Sequence, residues 1–137
     1  MSEKTIFEKI IDRELPGEII YEDEKHIAFL DIKPFEKGHT LVVPKNPHET
    51  IFDMSDQEFI ELMSIVKKVA EHIKKITGCE GVNIVQNNYP ISGQVVPHVH
   101  FHIIPRSEEK RLYTSGNDSQ YDDGEMDQWR ERLSMID

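Results

Sequence analysis

Three histidines alternate with apolar residues in the segment Pro97-His98-Val99-His100-Phe101-His102-Ile103-Ile104-Pro105. Side chains alternate across an extended backbone, so His98, His100 and His102 share one face. Val99, Phe101 and Ile103 share the other, which should pack on a core. Near neutral pH each imidazole can serve as donor, acceptor, base, nucleophile or metal ligand. A row of three is a poor choice for a merely solvated face. Two chemistries suit it: ligation of zinc, or attack on a phosphorus centre with donors ranged around it. For zinc, no cysteine or carboxylate adjoins the row, and His39, His48 or His72 would have to supply a fourth ligand. The loop ahead of the row, from Asn87-Asn88 to Gly93-Gln94, favours phosphate. A glycine-bearing turn aims backbone N–H groups at an anion, and neutral amides donate to phosphate without adding charge.

The elements that must position this row follow from periodicity. Thr5 to Arg13 reads as a short helix, with Thr5 and Glu8 at capping-box spacing, and Pro16-Gly17 beyond it. Ile19–Glu22 and His26–Asp31 read as strands around the turn Asp23-Glu24-Lys25, and His39–Pro44 as a third after Lys33-Pro34-Phe35-Glu36-Lys37-Gly38. A long helix is expected from Ser55 to Thr77, where Phe59, Leu62, Met63, Val66, Val69, Ala70 and Ile73 recur at helical spacing and Gly78 ends it. Gly81–Gln86 and Val95–Ile104 complete a set of five strands. This order predicts an α+β domain on an antiparallel sheet over residues 1–106. Residues 107–137 form an acidic C-terminal tail, with a loop or partly ordered stretch over 107–125 whose only aromatics are Tyr113 and Tyr121. A short helix is expected over 125–135, with Met126, Trp129 and Leu133 on its apolar face.

Bulk properties narrow the partners. The chain has 137 residues, enough for one modest core. Its formal net charge is -10, which disfavours nucleic acid and anionic membranes. Cys79 is the single cysteine, so no internal disulfide and no cysteine-based metal cluster can form. With no apolar signal core near Met1 and no apolar run approaching the roughly 20 residues of a membrane span, the expected location is the cytoplasm.

Taken together, these segments resemble the histidine triad (HIT) family. Its motif alternates three histidines with apolar residues and closes with two more, here His98-Val99-His100-Phe101-His102-Ile103-Ile104. Ala28-Phe29-Leu30-Asp31-Ile32-Lys33-Pro34, Gly38-His39-Thr40-Leu41-Val42-Val43-Pro44-Lys45, Gly93-Gln94 and Ile104-Pro105-Arg106 extend the likeness over roughly residues 5–106. The resemblance implies a five-stranded antiparallel HIT-like α+β fold with a long helix and a short N-terminal helix. It also implies a purine nucleotide pocket, no required cofactor, and a homodimer joined through the long helix and a neighbouring strand. By the same resemblance His100 is the nucleophile that forms a nucleotidyl-histidine, and His102 and His39 lie near the phosphate. The His98 backbone carbonyl orients the nucleophile. Asp31 binds the ribose hydroxyls, Phe29, Leu30 and Ile32 line the base, and Asn87, Gly93, Gln94 and Val95 form the phosphate loop.

The chain departs from the family pattern in two places. Many relatives carry Ser or Thr after Gly-Gln to help the leaving group, and this chain has Val95. Many bacterial members carry Cys-x-x-Cys near the N-terminus for a structural zinc. The matching stretch is Thr5-Ile6-Phe7-Glu8, so no structural zinc is expected although His48 lies near another ligand position. His26, His48 and His72 read as solvated, and Lys45 and Arg106 either offset phosphate charge or are plain surface charges. The expected activity is hydrolysis at the α-phosphate of nucleoside phosphoramidates or related nucleotide conjugates. The alternatives are diadenosine polyphosphate hydrolysis and a nucleotide-binding scaffold with little turnover.

Overall fold

Each of the first two helices begins with a closed capping box. Helix α1 (Ile6–Ile11) starts where Thr5 Oγ accepts the Glu8 N–H and the Glu8 carboxylate accepts the Thr5 N–H, both at 3.1 Å. Ser55 and Glu58 do the same for helix α2 (Asp56–Thr77). Helix α2 buries Leu62, Val66, Val69, Ala70 and Ile73, and ends at Gly78, whose φ of 65° is the left-handed conformation that glycine adopts without a Cβ penalty. These elements belong to a computed structural model that describes residues 3–107 and 119–136.

Five strands form one antiparallel sheet: β1 (Ile19–Glu22), β2 (His26–Leu30), β3 (Thr40–Pro44), β4 (Gly81–Gln86) and β5 (Phe101–Arg106), in the order β1-β2-β3-β5-β4. The chain is therefore an α+β protein, as its periodicity predicts. Alternation divides the sheet into two faces. Ala28, Leu30, Val42, Val99, Phe101 and Ile103 face the side of α2 and join its apolar stripe in the main core. Ile27, Phe29, Leu41 and Val43 face the other way and pack with Phe7 and Ile10 of α1. A last helix, α3 (Glu125–Leu133), sends the fully buried Leu133 into the main core, with Met126 and Trp129 packed against it. Beyond it, the Met135 N–H reaches Ile20 O of the edge strand β1 at 2.7 Å.

The structure corrects several boundaries. The last strand runs over Phe101–Arg106 rather than 95–104. Pro97 has no N–H to give to a ladder, and the His98 N–H turns back onto Val96 O at 2.8 Å, so pairing begins only at Phe101. It continues through Pro105 because β3 has ended by then: Thr40 pairs with Ile103, and Pro105 faces only Val82 of β4. His39 precedes its strand and closes a turn, with its N–H on Glu36 O at 3.0 Å. His26 is buried rather than solvated, its Nδ1 3.0 Å from Asp23. Of the tail expected over 107–125, residues 108–118, including Tyr113, lie outside the described residues. Among the described residues, no helix is long and apolar enough to cross a membrane.

Candidate active site

The alternating histidines lie in a connected row. Their rings fall on the α1 side of the sheet, opposite Val99, Phe101 and Ile103, which are buried in the main core. The His100 and His102 ring centroids are 5.0 Å apart. His39, from the end of the β2–β3 turn, stands 5.1 Å from His102. Phe7 of α1 meets His100 edge-on at 4.9 Å and His98 at 6.0 Å. All four histidines are buried. The backbone pairing of Leu41 with His102 brings His39 beside the row across 63 residues of chain.

The hydrogen-bond pattern assigns the protons. His100 Nδ1 is 2.7 Å from His98 O, and only an N–H can satisfy a carbonyl, so Nδ1 carries the hydrogen and Nε2 keeps its lone pair. His98 Nε2 is held in the same way by Pro44 O at 2.8 Å. The Phe35 backbone N–H donates to His39 Nδ1 at 3.0 Å, which leaves the His39 proton on Nε2. That Nε2 lies 2.9 Å from His102 Nδ1, so His39 donates to His102 and the His102 proton sits on Nε2. Burial keeps the rings neutral. It pushes His39 down to about 4, helped by the repulsion that a second proton on neighbouring His100 would bring, and His102 down to about 3, helped in the same way by His100 and His39. Burial also lowers His98 and His100. A neutral imidazole with a fixed tautomer is the reactive form for nucleophilic attack.

The structure distributes the other sequence-derived candidates unevenly. Asp31 lies beside the pair, its Oδ2 3.7 Å from His39 Nε2, and burial raises its carboxyl against the opposing effect of the Lys33 N–H. Phe29 sits behind the row, edge-on to Phe7 at 5.5 Å. The Leu30 side chain lies on the opposite face, in the main core, while Ile32 is 74% exposed. Asn87 and Gly93 are neighbours: a Cβ built on Gly93, whose φ is 103°, would meet Asn87 Nδ2 at 3.5 Å. Gln94 is buried with both ends of its amide engaged, accepting from the Tyr89 N–H at 2.6 Å and donating to Glu49 O at 2.5 Å. Its side chain therefore shapes the loop. Val95 is 89% exposed.

The charged candidates outside the row are paired. Lys45 meets Glu22 at 2.7 Å, and Arg106 meets Glu36 at 3.2 Å and Asn83 at 2.7 Å. Sequence reasoning did not single out Phe7 or Phe35 for the site, although both touch its rings through an edge contact or a backbone N–H. Phe7 fell within the short N-terminal helix and Phe35 in the segment between two strands, so neither carried a chemical signal.

Two places bear on metals. Around Thr5-Ile6-Phe7-Glu8, Thr5 and Glu8 close their own capping box, and His48 Nε2 lies 3.0 Å from Glu58. His98 Nδ1 is the buried side-chain nitrogen left without a partner among the described residues. One imidazole nitrogen without thiolates does not fit a structural zinc. Elsewhere, the candidate ligand atoms of Asp31, His39 and His102 lie within 4.8 Å of one another, but the His39–His102 hydrogen bond already uses two of them.

Comparison with known proteins gives this geometry a context. The HIT domain profile matches residues 12–109. A HIT-like protein of Methanocaldococcus jannaschii is 54% identical over 103 residues, covering 75% of this chain and 79% of its own. The adenosine 5'-monophosphoramidase of Schizosaccharomyces pombe is 42% identical over 105 residues, covering 77% of this chain and 76% of its own. Among solved structures, a Hit-like protein of Bartonella henselae superposes with a TM-score of 0.84 at 34% identity, covering 97% of this chain and 96% of that one.

Proposed function

This chain belongs to the histidine triad family, and on that footing we propose that it is a nucleotide hydrolase that cleaves at the α-phosphate of purine nucleoside phosphoramidates or related conjugates. The observation that carries the reading is the His100 tautomer: with Nδ1–H committed to His98 O, the Nε2 lone pair is the nucleophile. His100 Nε2 attacks the α-phosphorus and the bond from phosphorus to the leaving amine breaks. The amine departs with a proton taken from solvent, because the neutral His102 ring could give up its Nε2–H only as an imidazolate. Water then attacks the nucleotidyl-histidine, releasing the nucleoside monophosphate and restoring the ring. Donors at the phosphoryl oxygens carry much of the stabilisation in such displacements, and the His102 Nε2–H and the Asn87 amide are the groups this chain offers, the His39 proton and the Gly93 and Gln94 N–H groups being engaged by His102, Pro90 O and Tyr89 O. Asp31 takes the ribose hydroxyls, and Phe29 and Ile32 flank the base. The name of the Schizosaccharomyces pombe relative supports the phosphoramidate class.

One observation favours a second reading. The exposed Val95 offers no hydroxyl to the leaving group, as a nucleotide-binding scaffold with slow turnover would tolerate. Diadenosine polyphosphates are the remaining enzymatic alternative. A homodimer through α2 and β4 is supported by the partial exposure of β4 along its whole length and by Ile60 and Ile84, which stand 61% and 48% exposed. Sedimentation analysis tests that assembly.

Mass spectrometry of acid-quenched protein with adenosine phosphoramidate should find one AMP moiety on His100, alongside AMP release. Absence of the adduct, with equal AMP release by wild type and His100→Ala, overturns the enzymatic reading. Tight AMP binding without any adduct selects the scaffold.

A further inference from the structure

We propose that the C-terminal segment is a working part of the histidine site: the Ser119 backbone N–H acts through the Pro34–Phe35 peptide to hold the His39–His102 pair in its donating arrangement. Ser119 lies beyond the residues matched by the family profile, and Ser119 and Tyr121 both reach the β2–β3 turn. The Ser119 N–H donates to Pro34 O at 3.1 Å, and Ser119 Oγ donates to Phe35 O at 2.9 Å. At the other end of the turn the Gly38 N–H donates to the Tyr121 hydroxyl at 2.9 Å, Lys37 pairs with Glu125 at 2.8 Å, and Trp129 packs so closely on Gly38 that a Cβ there would meet its ring at 3.1 Å. The residue that follows Gly38 is His39.

Continuity through one peptide unit gives these contacts a chemical consequence. Pro34 C=O and Phe35 N–H belong to the same amide. Ser119 donates to its oxygen, and its N–H donates to His39 Nδ1 at 3.0 Å. A donor on a carbonyl polarises the amide and strengthens the N–H at its other end. An imidazole that accepts at Nδ1 must hold its proton at Nε2, and that proton is the one His39 gives to His102 at 2.9 Å. The bonds therefore run in one direction, from the Ser119 N–H through the amide and the His39 ring to His102, and each fixes the polarity of the next. Ser119 acts on the rings through this amide and is a positioning residue. That the pair it positions serves catalysis rests on the function proposed above, whereas the state of the rings can be read without turnover.

The test uses full-length ¹⁵N-labelled protein. In wild type, a scalar coupling across the hydrogen bond should link the Phe35 amide nitrogen to His39 Nδ1, and the ring shifts of His39 and His102 should both report Nε2–H tautomers. Ser119→Pro deletes the donating N–H. It should weaken the coupling, mix the tautomers, and lower kcat on adenosine phosphoramidate roughly tenfold, the size of one net hydrogen bond, with KM little changed. Ser119→Ala keeps the amide and should keep the coupling. A folded Ser119→Pro protein with wild-type ring shifts overturns the proposal, as does an unchanged kcat despite altered rings. If Ser119→Pro does not fold, wild type alone decides: the wrong tautomers or no coupling overturn it, and the expected signals with Ser119→Ala retaining them support it. Wild-type protein that shows the ring pattern but releases no AMP counts against the proposed hydrolase and leaves the hydrogen-bond relay standing.

Discussion

His100 Nδ1 lies 2.7 Å from the carbonyl oxygen of His98, so the backbone of one triad residue sets the proton on the next. Ring and backbone can be separated by mutation. His100→Ala removes the nucleophile, and single-turnover AMP release should fall by about 10⁴-fold or more. His98→Ala keeps the carbonyl but empties a buried position and leaves Pro44 O without its donor. It should cost about 1–3 kcal/mol in stability, measured by urea denaturation, and retain nucleotidyl-adduct formation. Loss of the adduct in a folded His98→Ala protein would contradict the backbone assignment.

The buried rings set a pH dependence of stability. Free histidine titrates at 6.5, whereas folding holds His39 at about 4 and His102 at about 3 and lowers His98 and His100 as well. Between those values the unfolded chain binds protons that the folded chain refuses, so stability falls as pH drops below about 6.5 and rises again with pH through the same window. Each ring contributes at most about 1.4 kcal/mol per pH unit. Urea midpoints taken from near neutrality down to about pH 5 check this. A His39→Asn/His102→Asn protein should show the shallower slope, and equal slopes would speak against neutral buried rings.

Phe7 ties the first helix to the nucleophile, with its ring 4.9 Å from His100 and 5.5 Å from Phe29. Phe7→Ala should cost about 3 kcal/mol and reduce kcat/KM. Phe7→Leu restores most of the volume but not the edge contact, so it should recover stability more than activity. Parallel denaturation and kinetics on the two variants test this, and full activity in Phe7→Ala would dismiss the contact as incidental.

Two glycines make a matched comparison. Gly78 has φ 65°, and a Cβ there would meet nothing within 4 Å, whereas Gly38 has φ 95° and would press a Cβ onto Trp129 and Pro105 at 3.1 Å. Gly78→Ala should cost about 1 kcal/mol, the conformational penalty alone. Gly38→Ala adds a steric conflict and should cost about 3 kcal/mol. Thermal melts of both proteins give the answer, and equal losses would mean that α3 yields easily around the turn.

The sequence was most legible where a single physical rule operated. Alternation placed Val99, Phe101 and Ile103 in the main core and the histidines on the other face. Capping spacing at Thr5 and Ser55 found both helix starts. It was less legible where two rules met. Pro97 and the His98 N–H delay the last strand to Phe101, although apolar residues reach back to Val95. Gln94 has the chemistry of a phosphate donor, yet its amide is engaged by Tyr89 and Glu49. His26 looked solvated until Asp23 drew it inward. The approach of Ser119 and Tyr121 to the β2–β3 turn left no trace in periodicity, because it depends on isolated polar contacts more than 80 residues apart in the chain.

Because Leu41 faces His102 across the β3–β5 ladder, the groups that would handle phosphate exist as a set only after two distant stretches of chain have met in register. A slip of one residue would turn every second side chain to the wrong side. Turnover would therefore be an all-or-nothing assay of maturation: nascent chains halted before residue 100, or cleaved halves that fail to reassociate, should be chemically silent toward nucleotides.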